Sequence, residues 1–378
     1  MPGRRTAVLS HLGRRLLVAL PTLAATSLVM FAILYEAGDP VASLRESTRL
    51  DAAQVARIIE QEGYDDPFLQ RYWGWLSGFV TGDWGISTQN GEPVRDEIAA
   101  ALPATFELLG LALAVAILVA LPVGVLSAVR PRSAFDVAAT GASYLAFAFP
   151  TFLVGLILQL LAVRVQEEGW GLAVAALGLA PLAAGLARPR SRSGRAALAA
   201  GALLVALGIA FRDWNRGELL LFTAQRFSPD SDESLFSLDH LRHLVLPVLT
   251  LALVSIAGWS RYVRAALLEV MGQDYLRTAR AQGLSEGRVV VVHALRNGLL
   301  PLITVVAIDA GALVAGAVVT ETVFAWPGVG TRLLDAVRAA DIPVAMGIVM
   351  LGAVAVVVLN LLADVAYALA DPRVRLSS

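Results

Sequence analysis

The sequence contains no cysteine and no lysine; all 30 of its basic residues are arginine. Without cysteine there is no disulfide, no thiolate metal site and no thiol nucleophile, and without lysine there is no Schiff base. A P-loop ATPase places a lysine on the nucleotide phosphates, so this chain does not hydrolyse ATP through a Walker site. Charge is scarce, at 16% of 378 residues, and a formal net charge of −1 points away from a nucleic-acid partner. Histidine is limited to His11, His240, His243 and His293. The pair His240-x-x-His243 lacks the glutamate or third ligand of a zinc motif, and is read as opening a membrane span and facing water. No G-x-S-x-G nucleophile motif is present. Neither catalysis nor a metal or other cofactor is expected.

What the chain has in excess is apolar length. Hydrophobic residues make up 57% of it and the mean hydropathy is +0.68, against about 45–50% apolar in a soluble domain. A bilayer core is crossed by about 20 mostly apolar residues. On that scale eight spans are expected, at 15–35, 103–129, 134–163, 169–187, 196–211, 241–260, 301–321 and 343–368. The first has the charged flank of a signal peptide, but its apolar run is too long and no cleavage site follows, so it is read as an uncleaved anchor.

Arginine sets the orientation. With the N-terminus inside, 18 arginines fall on the inside, while the long 36–102 loop outside carries twelve acids against five arginines. Both termini are then cytoplasmic. The cluster at 188–195 fits a short inside turn, which makes 164–211 a transmembrane hairpin. The predicted plan is an all-α integral membrane protein: tail and first span (1–35), an extracytoplasmic segment (36–102) with an amphipathic helix at 51–62, spans two and three (103–163), the hairpin (164–211), an acidic extracytoplasmic loop (212–240), and a C-terminal block (241–378) containing a cytoplasmic segment at 261–300. Trp73, Trp75 and Trp84 are expected as interfacial anchors.

The cytoplasmic segment carries the most information. Helical composition over 274–282 meets Gly283, suited to a left-handed C-cap. Ser285 is a candidate N-cap for a second helix running to about Asn297, and Pro301 opens the next span. Ala279 and Gly283 also fit a helix-turn-helix, but spans flank this segment on both sides and its net charge is only +3, which argues against DNA.

Within it, Tyr275-Leu276-Arg277-Thr278-Ala279-Arg280-Ala281-Gln282-Gly283-Leu284, then His293-Ala294-Leu295-Arg296-Asn297 and Pro301, resembles the EAA loop of ABC importer permeases, of the oligopeptide/dipeptide group. Three other stretches keep the same order as in that group. They are Ala37-Gly38-Asp39-Pro40; Gly82-Asp83-Trp84-Gly85-Ile86-Ser87 before Leu102-Pro103-Ala104-Thr105; and Glu321-Thr322-Val323-Phe324-Ala325-Trp326-Pro327-Gly328-Val329-Gly330. The general pattern has Glu and Ala where Arg277 and Thr278 stand, a departure shared by the peptide group. The resemblance covers 8–163 and 237–375 and leaves 164–236 unmatched.

The resemblance implies a six-helix permease core, here with an added hairpin, in a bacterial or archaeal cell membrane. It implies a second homologous permease, two ATP-binding subunits and an extracytoplasmic substrate-binding protein as partners, besides membrane lipid. Peptides are the implied substrate, with nickel or another small solute as the alternative. Coupling to the ATPase would fall on Tyr275, Arg277, Thr278, Ala279, Arg280, Ala281, Gly283 and Leu284. Arg277 and Arg280 would meet acids on the ATPase or anionic lipid headgroups. Glu107, Asp309 and Asp364 are the acids read as lying within spans, where charge is costly. Asp309 is a candidate for the translocation pathway or for a structural pair with a neighbouring helix; Ala312 and Gly316 form a small-residue face on the same span. Gln159 and Asn360 are expected as interhelical hydrogen-bonders. An ion-coupled secondary transporter would show inverted repeats around midplane charges, and none is seen.

Overall fold

The computed structural model describes residues 2–37, 51–62, 66–168, 192–210, 221–228 and 237–370, with Leu235 and a few isolated positions between 174 and 186. Among the described residues the chain is helical, with no strand and one isolated bridge between Ile86 and Pro93. The helices are α1 (Pro2–Ala37), α2 (Ala52–Glu62), α3 (Phe68–Thr81), α4 (Val94–Val129), α5 (Ala134–Ala148), α6 (Thr151–Glu168), α7 (Arg192–Ala210) and α8 (Leu238–Met271). After these come α9 (Asp274–Ala281), α10 (Glu286–Arg288), a π-helical turn (Val289–Ala294), α11 (Leu295–Gly298), α12 (Leu300–Val323), α13 (Val329–Arg338) and α14 (Ile342–Ala370).

Among the described residues, four stretches are long and apolar enough to cross a membrane, Gly13–Leu34, Val94–Val129, Leu238–Met271 and Ile342–Leu362, and the bent pair Ala134–Ala148 and Thr151–Glu167 passes the same test taken together. The expected span at 301–321 is the 24-residue α12, and the one at 196–211 lies in α7. Most of 169–187 lies outside the described residues. The expected single span at 134–163 is instead two helices, α5 and α6, with Phe149 in extended backbone before Pro150. The cause is local: proline keeps its predecessor out of the α region. The second span also begins earlier than expected, because the helix starts at Val94; its 36 residues run about 54 Å at 1.5 Å per residue, well beyond a bilayer core.

Two compact units divide the chain: Met1–Thr151 with Leu251–Ser378, and Phe152–Thr250. In the first, three apolar clusters tie helices together. Phe31 of α1 packs with Tyr72, Ile342, Met346 and Met350, while Val94 and Ile98 of α4 meet Ala336, Val344, Ala345 and Ile348. The third cluster joins Ala116, Ala120 and Ala128 of α4 to Trp259, Val263 and Leu267 of α8 and to the segment that follows α8. The 51–62 helix forms as expected, held by a reciprocal capping box in which the Gln54 N–H donates to Asp51 Oδ1 and the Asp51 N–H donates to Gln54 Oε1, at 2.7 and 2.9 Å. Trp73 is exposed, but Trp75 and Trp84 are not free anchors. Trp75 and Trp84 each stack on Phe79, with centroids 5.6 and 5.1 Å apart, and the Trp84 indole N–H donates to the Phe79 carbonyl.

In the second unit, His240 and His243 are buried rather than facing water. Their Nδ1 atoms bond the carbonyls of Arg226 and Ala224, and their rings stack on Phe227 and Phe222. They close the segment 221–228 onto the start of α8. Gln159 serves the same segment, donating to the Thr223 carbonyl. A methyl group on Gly178 would sit 2.8 Å from the Gly201 carbonyl oxygen, so these two positions are in close approach.

Candidate functional site

The segment 274–298 builds a short angled element. Helix α9 ends where Gly283 takes φ +79, the left-handed conformation that glycine adopts without Cβ strain. There the Gly283 N–H donates to the Arg280 carbonyl at 2.9 Å, and the Leu284 N–H donates to that of Ala279 at 3.4 Å. Ser285 occupies the N-cap position of α10 with extended backbone, though its side chain makes no cap bond. The expected second helix to Asn297 is not a uniform α-helix; it passes through the π-helical turn 289–294 before α11. The wider turn places Val289, Val290 and Ala294 inward, all buried, and Val291 and Val292 outward.

The two faces of α9 differ sharply. Leu276 and Ala279 are buried in one cluster with Val289, Ala294, Leu302 and Leu267, and Leu284 packs against it. Burying a leucine fully stabilises by about 1.5–3 kcal/mol, so the element is seated on the helices it follows and precedes. Tyr275, Arg277, Thr278 and Ala281 point outward. Arg277 reaches back to Asp274 at 3.2 Å, both exposed, a pair of little energetic weight. Arg280 is engaged differently: its Nε–H and Nη2–H donate to the two carboxylate oxygens of Glu286 at 3.0 and 2.9 Å. This bridges the two sides of the Gly283 turn. The hydrogen bonds from Arg280 hold the Glu286 carboxyl below its ordinary range and raise the guanidinium in turn.

Asp309, half-buried on α12, accepts the indole N–H of Trp259 from α8 at 2.7 Å. The side chain of Ala312 and the surroundings of Gly316 lie outside the described residues, as does the side chain of Asp364. Asn360 is exposed.

The motif stretches that stand apart in sequence meet in space. Glu321 is fully buried; its Oε1 accepts the Thr105 hydroxyl at 2.6 Å, and its Oε2 accepts the N–H groups of Gly330 and Thr331 at 2.7 and 3.2 Å. The carboxylate thus caps the first turn of α13 and pins it to α4. Thr105 Oγ1 in turn accepts the Val329 N–H, and the buried Trp326 indole N–H donates to the Ala104 carbonyl. A Cβ on Gly328 would collide with the Glu321 carboxyl group, so close approach explains that glycine. Beside this knot lies a cleft of about 330 Å³, walled by residues such as Leu102, Phe106, Leu109, Leu333 and Val356.

A second junction forms at Asp341, which caps the start of α14. It accepts the Ser87 hydroxyl at 2.5 Å and the Thr88 N–H at 3.2 Å, while the Gln89 amide donates to the Ala339 carbonyl. Burial pushes the Asp341 carboxyl above its ordinary range, with the Ser87 and Thr88 bonds opposing. Asp341, Asp136 and the role of Glu321 escaped the sequence reading, because the acids were weighed by depth along single spans. For Asp136 and Glu321 the available signal was the Ser, Thr and Gly beside them, such as Ser133 and Thr140 or Thr320 and Thr322; Asp341 has no such neighbours in sequence.

Comparison with known proteins decides the family. The model for the binding-protein-dependent transport system inner membrane component matches residues 120–376, and that for the N-terminal part of such membrane components matches 8–109. The chain belongs to this family. It is therefore the membrane permease part of an ABC importer, whose ATP hydrolysis resides on separate subunits. The di/tripeptide transport system permease protein DppB of Pseudomonas aeruginosa (strain UCBPP-PA14) is 36% identical over 369 residues, covering 97% of this chain and 99% of that protein. The dipeptide transport system permease protein DppB of Escherichia coli (strain K12) is 34% identical over 372 residues, with the same two coverages. The oligopeptide transport system permease protein AppB of Bacillus subtilis (strain 168) is 34% identical over 367 residues, again at 97% and 99%. The bounds of the family match, 120 and 376, enclose 164–236.

Proposed function

We propose that this permease carries peptides delivered by an extracytoplasmic binding protein, and that 274–298 is its contact with an ATP-binding subunit. The observation that carries the reading is the two-faced element at Gly283. Leu276 and Ala279 seat it in the apolar cluster shared by α4, α8 and α12, while Tyr275, Arg277, Thr278 and Ala281 face outward. An element pressed by a partner must pass force on without bending. A turn closed by two backbone bonds and the Arg280–Glu286 bridge suits that better than an open linker. The peptide substrate is supported by the dipeptide, di/tripeptide and oligopeptide permeases that share most of this chain's length, rather than by any residue contact, and no observation favours nickel.

In this reading two ATP-binding subunits and a second, homologous permease complete the assembly in a bacterial inner membrane, with both termini of this chain cytoplasmic. Asp309, with Ala312 and Gly316 on the same helix, faces the pathway, Trp259 fixing the carboxylate. The test is a mild-detergent pull-down of the tagged protein from native membranes, followed by mass spectrometry. P-loop ATPases and a second permease are expected to co-purify. A chain that comes down alone, or with partners of other classes, overturns the proposal.

A further inference from the structure

An ion pair lies between α5 and the last part of α8. Asp136 sits in the first turn of α5. Its side chain is 4% exposed and accepts the Nε–H and Nη2–H of Arg264 at 2.5 and 2.8 Å, one bond to each oxygen. The backbone N–H of Arg132, a residue held at φ 59, donates to the same carboxylate at 2.8 Å. Ser133 Oγ accepts the Asp136 N–H. The whole turn joining α4 to α5 is built around this carboxylate. Arg264 stands seven residues before Met271, about 10 Å from the end of α8 at 1.5 Å per residue. Only Gly272 and Gln273 then separate α8 from α9.

Stability alone is a poor reason to hold such a pair, since a well-packed apolar replacement commonly serves as well. Directionality is a better one. Toward α4 the contacts of this part of α8 are apolar and smooth: Val263 and Leu267 share a cluster with Ala116, Ala120 and Ala128, and the Trp259 indole bond ties α8 to α12 rather than to α5. At Gly124 a Cβ would come within 2.6 Å of the Ser260 carbonyl oxygen and of Val263. Small side chains in contact can slide past one another with little loss of buried area. A bidentate guanidinium–carboxylate pair has a defined plane and length, so it carries rotation and translation together. Arg261, one turn earlier, lies over the rings of Tyr144 and Phe147 at 4.9 and 4.8 Å, a less directional contact with the same helix.

We propose that Asp136 and Arg264 form the positioning link that passes movement of the 274–298 segment from α8 to α5. The proposal rests on the reading of that segment as the ATPase contact. The pair holds no substrate and takes part in no chemistry. It keeps the α4–α5 turn in register with α8, so that pressure on the exposed face of α9 moves α5 instead of being lost as slip.

The experiment uses the assembled transporter, co-purified with its ATPases and second permease, in proteoliposomes supplied with its binding protein and a tritiated dialanine peptide. Peptide carried per ATP hydrolysed is measured for wild type, Asp136→Asn, Arg264→Lys and Gly283→Val, with the amount of assembled complex determined in parallel. Arg264→Lys keeps the charge and gives up the second bond. It is expected to assemble and hydrolyse ATP while transport per ATP falls about tenfold, within the range that coupling between sites spans. Asp136→Asn is expected to fall at least as far. An unchanged ratio in assembled Arg264→Lys, or a loss that merely follows the amount of complex, overturns the link. If Gly283→Val lowers the ratio and Arg264→Lys does not, the link alone fails. If neither does, the contact assigned to 274–298 fails with it.

Discussion

Replacing Glu321 with alanine removes the acceptor on which three donors converge. The Thr105 hydroxyl, the Gly330 N–H and the Thr331 N–H all lose their partner at a site that is fully buried. A buried donor left unsatisfied costs about 1–3 kcal/mol. The hydroxyl can rotate, so the two amides of α13 dominate, and the expected loss is about 3 kcal/mol. Glu321→Gln keeps a carbonyl oxygen for the two amides and offers its NH₂ to Thr105 Oγ1, whose own hydroxyl must turn to another acceptor, so the expected loss is smaller, about 1 kcal/mol. Gly330→Ala attacks the same knot from the other side, since its Cβ would lie 2.8 Å from Glu321 Oε2 and closer still to the Val318 Cα. Such overpacking costs about 1–3 kcal/mol. The assay is thermal unfolding of the detergent-solubilised permease followed by tryptophan fluorescence, for which Trp326 in the knot is a local reporter. The expected order of melting is wild type, then Gln, then Ala. An alanine variant that melts with the wild type, or a glutamine variant as unstable as alanine, refutes the account of Glu321 as a cap.

Three further outcomes are expected. A Cβ on Gly283 meets nothing within 4 Å, so Gly283→Val pays the left-handed backbone alone, about 1–2 kcal/mol. Gly283→Asn, tolerant of that region, should retain transport per ATP, and equal behaviour of the two variants would contradict this. Glu286 titrates below its ordinary range because of Arg280, so its contribution to the turn is complete above the unfolded value and is lost only as pH falls through the lowered one. The melting difference between wild type and Glu286→Gln should therefore be flat near neutrality and close in acid; closure on the alkaline side would show the sign to be wrong. Finally, a double-mutant cycle of Trp259→Phe and Asp309→Asn should show a coupling of about 1 kcal/mol, as for a typical side-chain hydrogen bond. Strict additivity would mean that the two side chains do not stabilise each other.

Several parts of the molecule were legible from residue order alone, because their causes are local. The 51–62 helix follows from its capping residues and amphipathic pattern, and the left-handed turn follows from Gly283. The break between α5 and α6 was equally legible at Pro150, yet apolar composition across 134–163 concealed it: hydropathy reports lipid compatibility and is blind to a kink. The π-helical turn at 289–294 has no signature in a run of valines, which fit either winding.

The burial of His240 and His243 shows the limit in another form. Beside polar residues at the start of an apolar stretch they read as water-facing, whereas in the fold the segment 221–228 packs over them. The partner of Asp309 is likewise a matter of packing: α8 brings Trp259 to it from 50 residues away in sequence.

Composition by itself determined that this is a membrane protein without cysteine, lysine or Walker chemistry, since absence and hydropathy need no geometry. The order of its motifs was enough to indicate the transporter family. Tertiary structure decided what the motifs do to one another. Glu321 needs Thr105 and the start of α13, Asp341 needs Ser87, and Asp136 needs Arg264, across 216, 254 and 128 residues respectively. A buried carboxylate is tolerable only where donors converge on it, and convergence is a property of the packed helices, which no single span contains.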